Sequence, residues 1–321
     1  MHIPDGFLDT KTAVTTGVLS ATGLSMAVRH ASKHVPSRQL PLIGLSAAFI
    51  FVAQMMNFPV AGGTSGHLIG GALAVVLLGP SAAVIVITSV LLIQALIFAD
   101  GGLLALGANI LNMAIVAPVC AYVVFVVVRR FLKDDRGMLV AASLAAWVSI
   151  VVAAIVCAGE LALSGTVSWG LAFPAMAGVH ALIGVGESLI TMLVLAAIRS
   201  TRPELLHRSA ATPTTSEQKA LLVYGGIVVL ALLILVVPFA STLPDGLISV
   251  AQSLGFEYRQ NAQPAISTPF SNYTLPGIQS SAISSILAGF LGAALVFGLS
   301  YLFARIIAPK QREQALTSDQ S

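Results

Sequence analysis

Nine stretches of this chain are too apolar to remain in water: residues 10–28, 40–57, 66–79, 81–98, 103–128, 137–163, 176–198, 219–241 and 281–304. A hydrocarbon layer about 30 Å thick is crossed by about 20 residues of helix, and a spanning segment must satisfy its main-chain polar groups internally. The expected fold is therefore all-α, a polytopic transmembrane helical bundle of about nine spans. Charged residues are only 9% of the 321, against roughly 25% in soluble domains. The run at 66–79 is the shortest of the nine.

The distribution of basic residues sets an expected orientation. With the N-terminus outside, Arg29, Lys33 and Arg38, then Arg129, Arg130, Lys133 and Arg136, then Arg199, Arg202, Arg208 and Lys219, and finally Arg305, Lys310 and Arg312 all fall in the cytoplasm. Only Lys11 and Arg259 fall outside, as the bias of Lys and Arg toward the cytoplasmic face predicts. An odd number of spans then leaves the C-terminus inside. Residues 1–10 hold two aspartates and no basic residue, unlike a secretory signal, so the N-terminus is expected to survive. The net charge of +3 resides in the cytoplasmic loops and gives no reason to invoke nucleic acid.

The polar stretch from Arg199 to Lys219 reads as a linker. The expected division is a seven-span domain at 1–200, a linker at 201–218, a two-span domain at 219–306 with an external loop at 241–280, and a tail at 307–321. The external loop, rich in Pro, Ser, Asn and Gln, suits a small ordered cap, a partner surface or a plain connection. Ala13, Gly17, Ala21 and Ser25 form a small-residue ridge on the first span, able to meet a helix of this chain or of another subunit. Cys120 and Cys157 fall in apolar spans and read as small buried side chains.

The chemistry concentrates at the start. In Met1-His2 the free amine, the His2 amide nitrogen and the His2 Nδ1 can close two fused rings in one plane around a divalent ion. That is square-planar nitrogen chemistry, suited to Ni(II) or Cu(II). His67, at the end of a Gly- and Ser-rich loop on the same side, can supply the fourth nitrogen, making Met1, His2 and His67 the candidate ligands. Asp100, Asn109, Glu160 and His180 fall at related depths and could surround such an ion, orienting its imidazoles and balancing its charge, or could simply join helices. Glu187 lies deeper, level with Asn112, and a hydrogen bond between those two is expected. No phosphate-binding loop, Cys-x-x-Cys, His-Glu-x-x-His or Gly-x-Ser-x-Gly motif occurs, which leaves an enzyme reading little support.

These motifs resemble one family. Met1 to Leu8 (MHIPDGFL), Gly63 to Gly71 (GTSGHLIGG), Asp100-Gly101-Gly102, Ala105 to Asn109 with Asn112-Met113, and His180 to Glu187 are similar to the substrate-capturing S component of energy-coupling factor transporters for cobalt or nickel. Residues 219–304 resemble the two-span segment that can be fused to it, marked by Pro-Asp-Gly-Leu-Glu; here Ile248 replaces the glutamate. The resemblance implies import of Ni(II) or Co(II) as substrate, with no catalytic cofactor. It also implies a transmembrane coupling (T) subunit and ABC-type ATPase subunits as partners, and location in the cell membrane. The ligands it implies are the Met1 amine, the His2 amide and imidazole, and His67, in agreement with the chelate reading. A membrane metal sensor without transport is the alternative. A metalloenzyme fits less well, since four nitrogens would close the plane and leave only axial positions.

Overall fold

The computed structural model describes residues 1–206, 214–261, 265 and 268–308. Arg208, Lys310, Arg312, the middle of the expected linker and most of the expected tail lie outside the described residues. The chain is mostly helical, with α1 (Thr10–His34), α2 (Leu40–Met55), α3 (Gly71–Leu78), α4 (Pro80–Phe98), α5 (Leu106–Asn109), α6 (Ala117–Phe131), α7 (Asp135–Leu163), α8 (Trp169–Thr201), α9 (Thr215–Leu235), α10 (Gly246–Leu254) and α11 (Ser281–Ile307). A π-helical segment, Ile110–Val116, joins α5 to α6.

Seven helical segments among the described residues are long and apolar enough to cross a membrane: Ser37–Met55, Pro80–Phe98, Leu106–Phe131, Asp135–Leu163, Trp169–Thr201, Ser216–Phe239 and Ser281–Ile307. Two of the nine expected runs take another form. The first is α1, whose 25 residues suffice in length but whose Thr12, Thr15, Thr16, Ser20, Thr22 and Ser25 make it more polar than the seven. The third, 66–79, is corrected outright. It begins as strand β2 (Thr64–Gly66), paired antiparallel with β1 (Phe58–Val60), and becomes helical only in the eight residues of α3, about 12 Å of rise.

That half-helix is enclosed by protein, packing on α4, α6, α7 and α8. Irregular backbone at such depth is tolerated where protein surrounds it, provided its free amides find acceptors. Glu187, fully buried on α8, supplies them: Oε2 accepts from the Ile69 N–H at 3.0 Å and Oε1 from the Gly70 N–H at 3.1 Å. A carboxylate at a helix N-terminus satisfies orphan donors and meets the positive end of the helix dipole. The expected Glu187–Asn112 bond is therefore not formed; Asn112 Nδ2 donates to Glu160 Oε2 at 2.6 Å instead. The carboxylate on α8 is taken by main-chain donors that carry no signature in side-chain chemistry.

The long helices pair by hydrogen bonds as well as by shape. Ser188 Oγ donates to Ser143 O at 2.6 Å and Trp147 Nε1 to Ala181 O at 2.9 Å, tying α7 to α8. On α1 the buried stripe is Thr12, Thr16, Ser20, Ala27 and Ala31, offset from the expected small-residue ridge. Gly17 lies against Gly107 and Ser20 Oγ donates to Gly107 O, whereas Ala21 and Ser25 stay exposed. Thr214 and Glu217 form a reciprocal cap that starts α9 at Thr215, a pattern legible as T-x-x-E. The two C-terminal spans do not stand apart, since α9 packs on α2 and α11 on α2 and α4. At one end of the bundle lie His30 and Ser81, 2.7 Å apart; at the other, the N-terminal nine residues meet the loops.

Candidate metal centre

Residues 1–8 form a non-helical strap, turned at Asp5-Gly6, laid into the loop end of the bundle, with Ile3 and Phe7 fully buried. The strap is held largely through its main chain, with the Asp5 carboxylate and the buried Ile3 and Phe7 side chains adding to the grip. Asn109 brackets Ile3, accepting from its N–H at 2.7 Å and donating to its carbonyl at 3.1 Å, and the Gly102 N–H also donates to Ile3 O at 2.8 Å. Asp5 Oδ1 accepts from the Leu104 N–H and Thr166 Oγ1 donates to Phe7 O. A Cβ at Gly102 would meet the Asp5 amide nitrogen at 2.4 Å, so the Asp100-Gly101-Gly102 turn needs a glycine where the strap crosses it.

The groups proposed as ligands converge. The Met1 amine lies 2.6 Å from His67 Nε2, and the His2 and His67 rings stack with centroids 5.1 Å apart. Two nitrogens at right angles around one ion, each about 2 Å from it, sit about 2.8 Å apart, close to the amine–imidazole separation. His67 Nδ1 faces Leu68 O at 3.2 Å; with its proton there, the Nε2 lone pair points at the amine. His2 Nε2 faces Gln94 Oε1 at 3.1 Å, which likewise puts the proton on Nε2 and leaves Nδ1 to coordinate. Among the described residues no three His, Cys, Asp or Glu side chains gather to hold a metal by themselves; the main-chain nitrogens of Met1 and His2 are the further donors at hand.

Burial lowers the pKa of both imidazoles; for His67 the neighbouring ammonium drives it further, well below the ordinary range, while Asp100 partly offsets the effect at His2. Both rings are therefore held neutral, the form that binds metal. Asp245 Oδ2 lies 3.1 Å from the Met1 amine. Burial works against its ionisation, but the ammonium and the Ile248 N–H outweigh burial and hold the carboxyl well below the usual carboxylate range.

The four residues expected around the ligands separate into distinct roles. Asp100 Oδ1 is 3.4 Å from His2 Nδ1 and its Oδ2 accepts from Tyr273; Asn109 clamps the strap; Glu160 is turned to Asn112; His180 lies behind Met1 and His67. A cavity of about 550 Å³ in front of His2 and His67 is lined by Asp5, Asp100, Asp245 and Tyr273, among others.

Residues 2–205 match the family described as the cobalt uptake substrate-specific transmembrane region. The chain belongs to that family. Residues 219–309 match the PDGLE domain, so the cobalt uptake region here is followed by a fused second unit. A putative fused nickel transport protein of Archaeoglobus fulgidus is 37% identical over 95% of this chain and 98% of its own length. A cobalt transport protein of Kyrpidia tusciae is 33% identical over 68% of this chain and 92% of its own. A crystal structure of a truncated transition metal transporter superposes with a TM-score of 0.57 at 34% identity, covering 62% of this chain and 99% of that one. The protein is thus a multi-pass membrane component of the metal-transport class.

Sequence reasoning missed Gln94, Asp245 and Tyr273. Gln94 stands one turn before the end of α4, an isolated amide in an apolar run and so a polar side chain in need of a partner. Asp245 belongs to the Pro244-Asp245-Gly246 motif. It is carried to the amine because loop residues 243–245 run along β2: the Ser65 N–H donates to Pro244 O at 2.8 Å and Ser65 Oγ to Leu243 O at 2.8 Å. The loop 241–280 is, in its described part, an ordered cap over the site, with α10 at its core.

Proposed function

We propose that this protein is the substrate-capturing component of an energy-coupled importer of Ni(II) or Co(II), holding the ion with the Met1 amine, the His2 amide nitrogen and Nδ1, and His67 Nε2. The observation that carries this reading is the 2.6 Å approach of the Met1 amine to His67 Nε2 beside a neutral His2. A divalent ion arriving through the acidic cavity displaces one proton from the amine and one from the His2 amide. The imidazoles, already neutral, release none. Asp100 and Asp245 then face a doubly charged ion in place of an ammonium, which favours the exchange.

The N-terminus lies outside in this reading, by the distribution of Lys and Arg, and the ion is released inward when protons return to the amine and amide. The chain has no nucleotide-binding motif, so ATP hydrolysis and coupling belong to partner ATPase and T subunits. Extending the N-terminus by two or three residues is expected to abolish binding of Ni(II), measured by calorimetry on purified protein; unchanged affinity refutes the terminal chelate. Uptake of radioactive nickel by cells with and without the partner ATPases separates transport from sensing. Competition with equimolar Ni(II), Co(II), Cu(II) and Zn(II), followed by metal analysis, assigns the preferred ion.

A further inference from the structure

At the end of the bundle opposite the strap, α1 carries His30 and His34, four residues apart. That spacing sets two side chains one above the other on a single helical face, the arrangement by which paired helical histidines hold a divalent ion. Both are exposed, and their rings stack with centroids 4.1 Å apart and planes 17° from parallel. Each Nδ1 is already engaged: that of His34 faces His30 O at 2.9 Å, and that of His30 lies 2.7 Å from Ser81 Oγ at the start of α4. A ligating imidazole gives its second N–H to a carbonyl or another oxygen, which fixes the ring and leaves its other nitrogen to the metal. Here the nitrogens left are the two Nε2 atoms, and neither has a partner among the described residues. Two nitrogens bound to one ion at about 2.0–2.1 Å lie about 2.9–4.2 Å apart. Rings stacked at 4.1 Å reach that range by small side-chain rotations, which exposed residues make freely.

We propose that His30 Nε2 and His34 Nε2 form a second site for a divalent transition metal of the kind imidazole suits, nickel included, with Ser81 steadying the His30 ring and water completing the coordination. From Thr10 to His30, α1 rises about 30 Å, the thickness of the hydrocarbon layer. The pair therefore stands a membrane's breadth from Met1 and His2, and in the orientation given above it lies on the side where an imported ion emerges. Two protein donors hold an ion less firmly than four, and the adjacent Arg29 and Lys33 weaken the grip further by like charge. A loose hold on that side lets the ion go, as delivery requires. The site shares no residue with the N-terminal centre and stands or falls without it.

The test titrates Ni(II) into the full-length, untagged protein in detergent and follows the heat of binding. Wild type is expected to show a tight step and a separate, weaker one. His30→Gln and His34→Gln each remove one imidazole from an exposed position and leave the fold intact; each should abolish the weaker step and keep the tight one. His67→Ala should do the reverse. A wild-type titration whose every step disappears in His67→Ala overturns the second site, as does a weaker step that survives both glutamine variants. Loss of the weaker step in only one of the two variants overturns the shared ion. Absence of the tight step from wild type counts against the terminal chelate, and the weaker step is then judged by the same pair of variants.

Discussion

Helices α4 and α9 make an instructive pair. Both are apolar and long enough to span, yet 72% of an 18-residue apolar stretch within Pro80–Phe98 is buried inside the protein against 17% of the corresponding stretch within Ser216–Phe239. The buried helix brings Gln94, and Asp100 just beyond its end, to the candidate centre. The peripheral one presents Tyr224, Ile227 and Val228 outward, and among the described residues the appended unit meets the centre through the loop that follows α9, with Asp245 and Tyr273 in contact with Met1 and Asp100. Mean hydropathy is high in both, 2.5 and 3.0, because lipid and protein interior are both apolar, so hydropathy does not tell a buried span from a peripheral one. What separates them is which polar groups their ends deliver, and to what.

The comparison can be broken in order of effect. His67→Ala removes a proposed ligand from the core of the site, and Ni(II) affinity measured by calorimetry should fall by more than about 100-fold, beyond the roughly 10–100-fold of a supporting residue. Glu187→Ala strips the acceptor from two buried amides at the start of α3; unfolding in detergent should show a loss of about 2–3 kcal/mol, with Glu187→Gln losing less because one oxygen remains. Asp245→Ala should weaken Ni(II) binding about tenfold, since the lost carboxylate interacts more strongly with a doubly charged ion than with the ammonium. Tyr273→Phe frees Asp100 from one hydrogen bond and should cost about 0.5–1 kcal/mol of binding. Ile227→Ala, on the outward face of α9, should leave Ni(II) affinity unchanged. An Ile227 effect as large as that of Asp245 would mean that the appended spans, and not their loop, act on the centre.

Much of this was legible. The helices follow from apolar runs, and the nearness of Met1, His2 and His67 is what a proposed chelate of main-chain nitrogens and imidazoles would require. The half-helix was not legible, because residues 66–79 are apolar for reasons of burial among helices, which hydropathy cannot tell from contact with lipid. Glu187 was misassigned because its partners are the amides of Ile69 and Gly70, and any residue type offers the same N–H. Asp245 stands 244 positions from the amine it pairs with, and only the register of loop 243–245 along β2 brings the two together.

If the Met1 amine grips the ion as proposed, that has consequences for how such a protein is inherited and controlled. Exchanging the first residue cannot delete the donor, so a mutational scan of side chains would pass over half of the proposed grip. A single acyl group left on the terminus would silence it completely. In this reading the choice of initiation site and the enzymes that trim or cap nascent chains become determinants of metal supply, as decisive as any residue in the bundle.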